Sequence, residues 1–249
     1  MSTLRLDGKV ALVTGGGRNI GRQVCLTLAA HGCDVAVNVR SNLAEGNAVA
    51  DEVKALGRRA LAIAADVGDA GAVRAMVDRT RRELGRIDVL VNCASPRGHV
   101  AFLELDDARW HQLSRVIIDG AINTCRAVIP VMLEQGSGSI ISISGSVAFT
   151  GTWAHMAAAK AALHGLTRGL AREFGPRGIR VNIVVPTTIE TVKERPQSAE
   201  RVAAEIAATP LGRFGRPREV ADVCAFLASD LASYVSGQTI HVNGAQLMP

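Results

Sequence analysis

Seven short runs rich in valine and isoleucine constrain this chain more than any other feature. They are VALVT (10–14), DVAVNV (34–39), ALAIAAD (60–66), IDVLVN (87–92), SIISIS (139–144), RVNIVV (180–185) and TIHVN (239–243). Most are apolar throughout instead of alternating with polar residues. A strand of that kind has to be covered on both faces, which is the habit of parallel sheets. Amphipathic stretches of helical length separate the earlier runs, such as 43–56 and 69–84. Strand–helix alternation with right-handed crossovers leaves a doubly wound α/β sheet of about seven strands, with helices on both faces, as the simplest solution. At 249 residues, with 48% hydrophobic and only 3% aromatic side chains, the chain reads as one domain spanning 1–249, its core built from small and branched groups.

The stretch 106–135 reads as one long helix that Pro130 kinks or ends, and 152–174 as a second, rich in alanine and glycine. The region 187–215 has several prolines and weak periodicity, and is expected to be a lid or substrate loop. The net charge of +5 comes from arginines interspersed with acids, as in RTRRELGR (79–86), which fits solvated helix faces and no nucleic-acid partner. No basic segment followed by an apolar run opens the chain, and no stretch approaches a membrane span, so a cytoplasmic protein without membrane contact is expected. The five cysteines, Cys25, Cys33, Cys93, Cys125 and Cys224, form no CxxC pair and sit in apolar contexts. They read as reduced thiols, and no metal site is expected.

The first run ends in Thr14-Gly15-Gly16-Gly17-Arg18-Asn19-Ile20-Gly21-Arg22, and a helix pattern follows. Glycines between a strand and a helix let the backbone approach a pyrophosphate, whose charge the helix N-terminus favours. Asn19 stands within the turn, and asparagine is one of the few non-glycine residues that tolerate left-handed backbone. A site that prefers NAD carries a carboxylate at the end of the second strand. Here that end offers Asn38, Arg40 and Ser41, with Arg18 close by. Two guanidiniums suit a ribose 2′-phosphate, and no acid is placed to repel it. NADP(H) is therefore expected over NAD(H).

The turn resembles the TGxxxGxG variant of the short-chain dehydrogenase/reductase family, and the resemblance continues to the C-terminus through PLGRFGRPREVADVCAFLASDLASYVSGQTIHVNG (210–244). It is strongest to members like the 3-oxoacyl-carrier-protein reductases. The resemblance implies that Gly15, Gly17, Arg18, Asn19, Ile20 and Gly21 hold the dinucleotide. It also implies an adenine contact at Asp66-Val67, cofactor contacts at Asn92 and Ala94 (NCAS for the family's NNAG) and at Pro186-Thr187 (for PG), and a ribose contact at Lys160. Family members commonly form twofold-symmetric tetramers through two long helices, so a homotetramer or dimer is expected.

The family's chemistry pairs a proton-donating tyrosine with a lysine four residues later, a carbonyl-polarising serine and a helix asparagine that anchors a proton relay. Four residues before Lys160 stands Met156, whose thioether has no proton to give. The only tyrosine, Tyr234, reads as packing before the last strand. Ungapped alignment puts Gly145 at the serine position, with Ser144 or Ser146 able to take the role if the loop shifts. Ile117 stands at the asparagine position, and Asn123 falls on another helix face. Candidate proton sources are His155, Lys160, Ser144, Ser146 and a bound water; His155 points about 100° away from position 156 on a helix.

Three functions follow. The first is an NADP(H)-dependent oxidoreductase acting on a carbonyl, an alcohol or an activated C=C of a small molecule, with an atypical proton source. The second is an NADP(H)-binding protein without chemistry, serving as a scaffold, partner subunit or sensor. The third, with least support, is a lyase or isomerase with His155 or His99 as base. Segments 94–103, 145–156 and 187–208 should line the substrate pocket, with Pro96, Phe102, Phe149, Trp153 and Met156 among them and Arg97 available for an anionic group.

Overall fold

The computed structural model describes residues 4–96, 98, 100–192 and 198–249. Arg97 and His99, the expected anion contact and the alternative base, lie outside the described residues. The strands are β1 (Val10–Thr14), β2 (Asp34–Val39), β3 (Ala60–Ala64), β4 (Val89–Asn92), β5 (Gly138–Ile143), β6 (Ile179–Pro186) and β7 (Thr239–Val242). They form one sheet in the order β3-β2-β1-β4-β5-β6-β7, and every pairing is parallel. This is the doubly wound topology expected from the sequence, with each apolar run forming a strand within two residues of its expected ends.

Successive side chains of a strand point to opposite faces, so each run feeds two cores. Ala11, Val13, Val35 and Val37 face the helices α1 (Asn19–Ala30), α2 (Leu43–Ala55) and α9 (Pro217–Ala228). Val10, Leu12, Ala36 and Leu90 face α3 (Ala70–Leu84) and α5 (Gly120–Gln135). A third, smaller cluster gathers Leu113, Ile117, Ala159 and Leu163 from α4 (Asp107–Ser114), the turn after it and α7 (Ala154–Phe174). Local chemistry sets the helix ends. Asp69 caps α3 by accepting from the Gly71 and Ala72 amides at 2.7 and 3.0 Å, and Gly85 ends it in left-handed backbone. A short helix, α6 (Val147–Thr150), precedes α7.

Three expectations change. The helical run 107–135 is continuous through Pro130, and its irregularity is a widened π turn at Arg115–Asp119. That run is the one helix among the described residues long and apolar enough to cross a membrane, but half of its most apolar window is buried against the rest of the protein. The region 187–215 is not simply a loop. It contains α8 (Ala199–Ala207), capped by Ser198, and is pinned by a parallel bridge between Ile189 and Gly215. Nine residues give too few turns for a convincing period. Tyr234 is fully exposed and packs nothing before β7.

Asn38 is also reassigned. Its side chain is buried within the sheet, and its amide donates to the carbonyls of Val39, Ile63 and Ala65 at 3.1, 3.3 and 3.0 Å. It staples β2 to β3 and is not available to a ribose. Replacing Asn38 with valine should destabilise the fold by about 2 kcal/mol, because carbonyls buried with it lose their donor. Urea unfolding measures this, and an unchanged midpoint would show the staple to be dispensable.

Candidate active site

The sheet order reverses between β1 and β4, and the chain leaves their carboxyl ends toward opposite faces. A crevice opens there, the usual place for a ligand in such a fold. Thr14 makes its floor: the Thr14 hydroxyl accepts from the Cys93 and Ala94 amides at 3.0 and 3.2 Å. Gly15 has φ +64°, and a Cβ on it would stand 2.9 Å from Ala94 Cα. A Cβ on Gly21 would overlap the Gly15 carbonyl oxygen. The turn therefore needs glycine at both positions. Asn19 adopts φ +50° as expected, and its side chain has a second use. Its Oδ1 accepts from the Val192 amide at 3.0 Å and its Nδ2 lies 3.5 Å from the Val192 carbonyl. A glycine at this position could not tie the segment after β6 to the turn.

Arg18 and Arg40 are exposed and, among the described residues, pair with no carboxylate, unlike the arginines that form ion pairs along the helices. Ser41 follows in an exposed bend. One acid does approach the turn. Glu45, in the first turn of α2, brings Oε2 to 3.4 Å from where a Cβ on Gly17 would stand. Asp66 accepts from the Gly68 amide at 2.9 Å and meets Arg115 at 3.3 Å, while Val67 is buried beside Gly120. Asn92 turns away from the crevice: its Oδ1 accepts from Thr124 at 2.7 Å and its Nδ2 faces the Cys125 sulfur. Ile20 packs partly buried against the α1 core. Pro186 ends β6, and the Thr187 hydroxyl is buried without a partner among the described residues.

Lys160 is buried on α7, and its Nζ donates to the Ile143 carbonyl at 3.0 Å. Burial pushes its pKa down to about 8. Cys93 lies in its electrostatic reach: burial pushes that thiol up to about 11 while the Lys160 charge pulls against it. Met156 packs in the same cluster as Ile117, so the positions of acid and relay anchor share one apolar patch. A Cβ on Gly145 would meet nothing nearer than Val147 Cγ2 at 3.9 Å, so the serine position holds open space. Trp153, the N-cap of α7, has left-handed backbone at φ +56°, a strained state for a bulky residue.

The two alternative serines have different surroundings. Ser144 is buried; its hydroxyl donates to the Lys160 carbonyl at 3.3 Å and contacts His164 Nε2 at 3.2 Å. Because that hydroxyl spends its single proton on the carbonyl, His164 Nε2 must be the donor to it. The other ring nitrogen then accepts from Thr239, 3.2 Å away. The result is a one-way chain from β7 through His164 and Ser144 to the backbone at Lys160. Burial lowers the His164 pKa, consistent with a neutral ring. Ser146 sits at the start of α6 with no cap bond from its side chain. His155 is buried, and its Nδ1 has no partner among the described residues. His164 was legible in principle, since it lies four residues beyond Lys160 on one helix face.

The family model described as enoyl-(acyl carrier protein) reductase matches residues 15–245. The chain is 40% identical to the 3-oxoacyl-[acyl-carrier-protein] reductase FabG of Staphylococcus aureus over 96% of this chain and 98% of that one. It is 37% identical to the Escherichia coli protein of the same name over 98% and 100%. A putative short-chain alcohol dehydrogenase from Sinorhizobium meliloti superposes with a TM-score of 0.95 at 30% identity, covering 98% of both chains. A gluconate 5-dehydrogenase from Burkholderia cenocepacia, in complex with NADP and tartrate, gives 0.92 at 34% identity over 98% and 96%. The chain belongs to the short-chain dehydrogenase/reductase family of oxidoreductases.

The Lys160 environment predicts a pH signature. Its folded pKa, about 8, lies below the ordinary 10.5. Between these values the unfolded chain binds the extra proton, so stability should rise with pH across that window. Lys160→Met should lose this rise, as read from urea midpoints at pH 7.5, 9 and 10.5; equal slopes would mean Lys160 titrates normally.

Proposed function

We propose that this protein is an NADP(H)-dependent oxidoreductase of a small molecule that has dispensed with a side-chain acid at position 156. The observation that carries the reading is the contrast between the two ends of the crevice. The glycine turn and the buried Lys160 are kept, while Met156, Ile117 and Gly145 stand where acid, relay anchor and carbonyl polariser belong. The residues fit a dinucleotide: a Cβ at Gly15 or Gly21 would close the turn, and Arg18 in the turn with Arg40 and Ser41 after β2 offer donors for a 2′-phosphate. A bound nicotinamide supplies hydride exchange. This chain's part is to seat the ribose at Lys160 and to give the substrate the apolar wall of Met156 and Ile117.

Reduction of a carbonyl needs a proton at oxygen in the transition state. An activated C=C can take its proton at carbon from water, so that substrate class suits this site better. Lys160, with its lowered pKa, is the titratable group nearest the task among the four side chains considered. Ser144 is committed to α7, Ser146 makes no cap bond at the start of α6, and His155 is buried one residue off the reacting face. A second reading, a cofactor-binding homologue without turnover, draws on the same apolar pair, Met156 and Ile117. Association into a homo-oligomer belongs to the proposal as well: Ala158, Ala161, Ala162, Gly165 and Gly169 form an exposed stripe on α7 that lets a partner helix approach closely.

NADPH and NADH titrations followed by absorbance assays on enones and ketones test this reading. Enones should turn over and simple ketones should not, and Met156→Tyr should gain ketone reduction. Cofactor binding without any turnover would favour the second reading, and tighter NADH binding would remove the NADP(H) assignment. Glu45→Gln should strengthen NADPH binding about two- to fivefold, with NADH little changed, as expected for ~0.5–1 kcal/mol at a partly exposed charge. An equal gain for both cofactors would mean Glu45 does not face the 2′-phosphate.

A further inference from the structure

The helical run that carries Ile117 also reaches the edge of the sheet at β3. Arg115 opens its π turn, and the guanidinium extends over the loop that leaves β3. Its Nε donates to the Gly68 carbonyl at 3.2 Å, and its Nη2 stands 3.3 Å from Asp66 Oδ2. The other carboxylate oxygen of Asp66 accepts from the Gly68 amide at 2.9 Å. A Cβ on Gly68 would stand 2.5 Å from Arg115 Cγ, so the loop is bare where the arginine stem crosses it. The same helical run secures Val67 as well: Asn123 donates to its carbonyl at 3.0 Å, and Gly120 leaves room for its side chain.

These ties aim Asp66 without closing it off. Its side chain keeps 32% of its surface exposed, and a carboxylate oxygen can accept more than one hydrogen bond. An ion pair this open adds little to folding; what it provides is a fixed orientation for an acceptor at the carboxyl edge of the sheet. The strand order says what would meet that acceptor. β3, β2 and β1 lie side by side, about 5 Å apart, and the Ala65 amide ties the end of β3 to the Val39 carbonyl at the end of β2 at 2.9 Å. On the NADP(H) reading, on which this inference rests, the pyrophosphate belongs at the turn after β1 and the phosphorylated ribose beside Arg40 and Ser41 after β2. The base then continues outward to the end of β3. A carboxylate there can accept from the exocyclic amine of adenine, whereas an oxo group in its place offers only another acceptor.

We propose that Arg115 is a positioning residue for base recognition: it holds the Asp66 carboxylate ready to accept from the adenine amine, so that the site distinguishes an amino from an oxo purine. A side chain already held in place loses less freedom when its ligand arrives. Arg115 acts through Asp66 and does not touch the nucleotide. Binding of the base does not depend on turnover, so the assignment can be tested apart from the oxidoreductase chemistry.

Calorimetric titrations of the full-length protein with NADPH and with its 6-oxo analogue, reduced nicotinamide hypoxanthine dinucleotide phosphate, are the test. NADPH should bind about tenfold more tightly or better, as one hydrogen bond to a charged group implies. Arg115→Met should cut that preference about threefold. Asp66→Ala should abolish it, and adding Arg115→Met to Asp66→Ala should change neither affinity further. A merely structural role for Arg115 would weaken both nucleotides alike and leave their ratio intact, which would overturn the proposal. Equal binding of the two nucleotides by the unaltered protein would overturn it too, and so would a further loss in the double variant, since Arg115 would then contact the cofactor itself. Failure of NADPH to bind at all would remove the cofactor reading, and the proposal with it.

Discussion

The hydroxyl of Thr14 holds the two central strands together at the place where their connections part. Parallel strands have no tight turns between them, so each connection must climb over one face of the sheet. Where neighbouring strands send theirs over opposite faces, the carboxyl edge cannot close. Thr14 accepts two amides from the far side of that gap, and the absent side chain of Gly15 lets Ala94 come into contact. The crevice therefore has a rigid floor made of backbone, and the side chains around its rim are free to vary. Met156, Ile117 and Gly145 are variations of that kind.

Polarity at the catalytic end has moved behind the helix. Met156 and the buried Ile117 share one apolar cluster, and Gly145 adds no side chain. Behind α7, Thr239, His164 and Ser144 form a hydrogen-bonded chain that ends on the Lys160 carbonyl. These groups do not reach the reacting face. They fix the helix that carries Lys160 against β5 and β7, and so hold the lysine in place.

Most of the architecture was legible because it depends on patterns along the chain. Valine-rich runs, helix-length spacers and the glycine turn carry their own signatures, and a capping aspartate such as Asp69 can be read directly. The features that were missed depend on meetings between distant segments. Asn38 and Asn92 look like rim residues from their position at strand ends, yet their strand parity turns them into the sheet and toward α5. Glu45 is remote from Gly17 in the turn that it approaches. The pairing of Asn19 with Val192 spans most of the chain. The short helix α8 escaped for another reason: nine residues make only about two and a half turns, too few for a period to stand out beside the flanking prolines.

The burial of Asn38 has a consequence for how such a protein can change. Because the last inward-looking polar group of β2 is spent on β3, the proposed discrimination between dinucleotides would rest on Arg18, Arg40, Ser41 and Glu45, on the turn, the bend and the start of α2. Substitutions at exposed positions away from special features usually alter folding free energy by no more than ~0.5 kcal/mol. Cofactor preference in this chain is thereby separated from the stability of its fold, and a lineage could drift from one dinucleotide to the other without passing through a poorly folded ancestor.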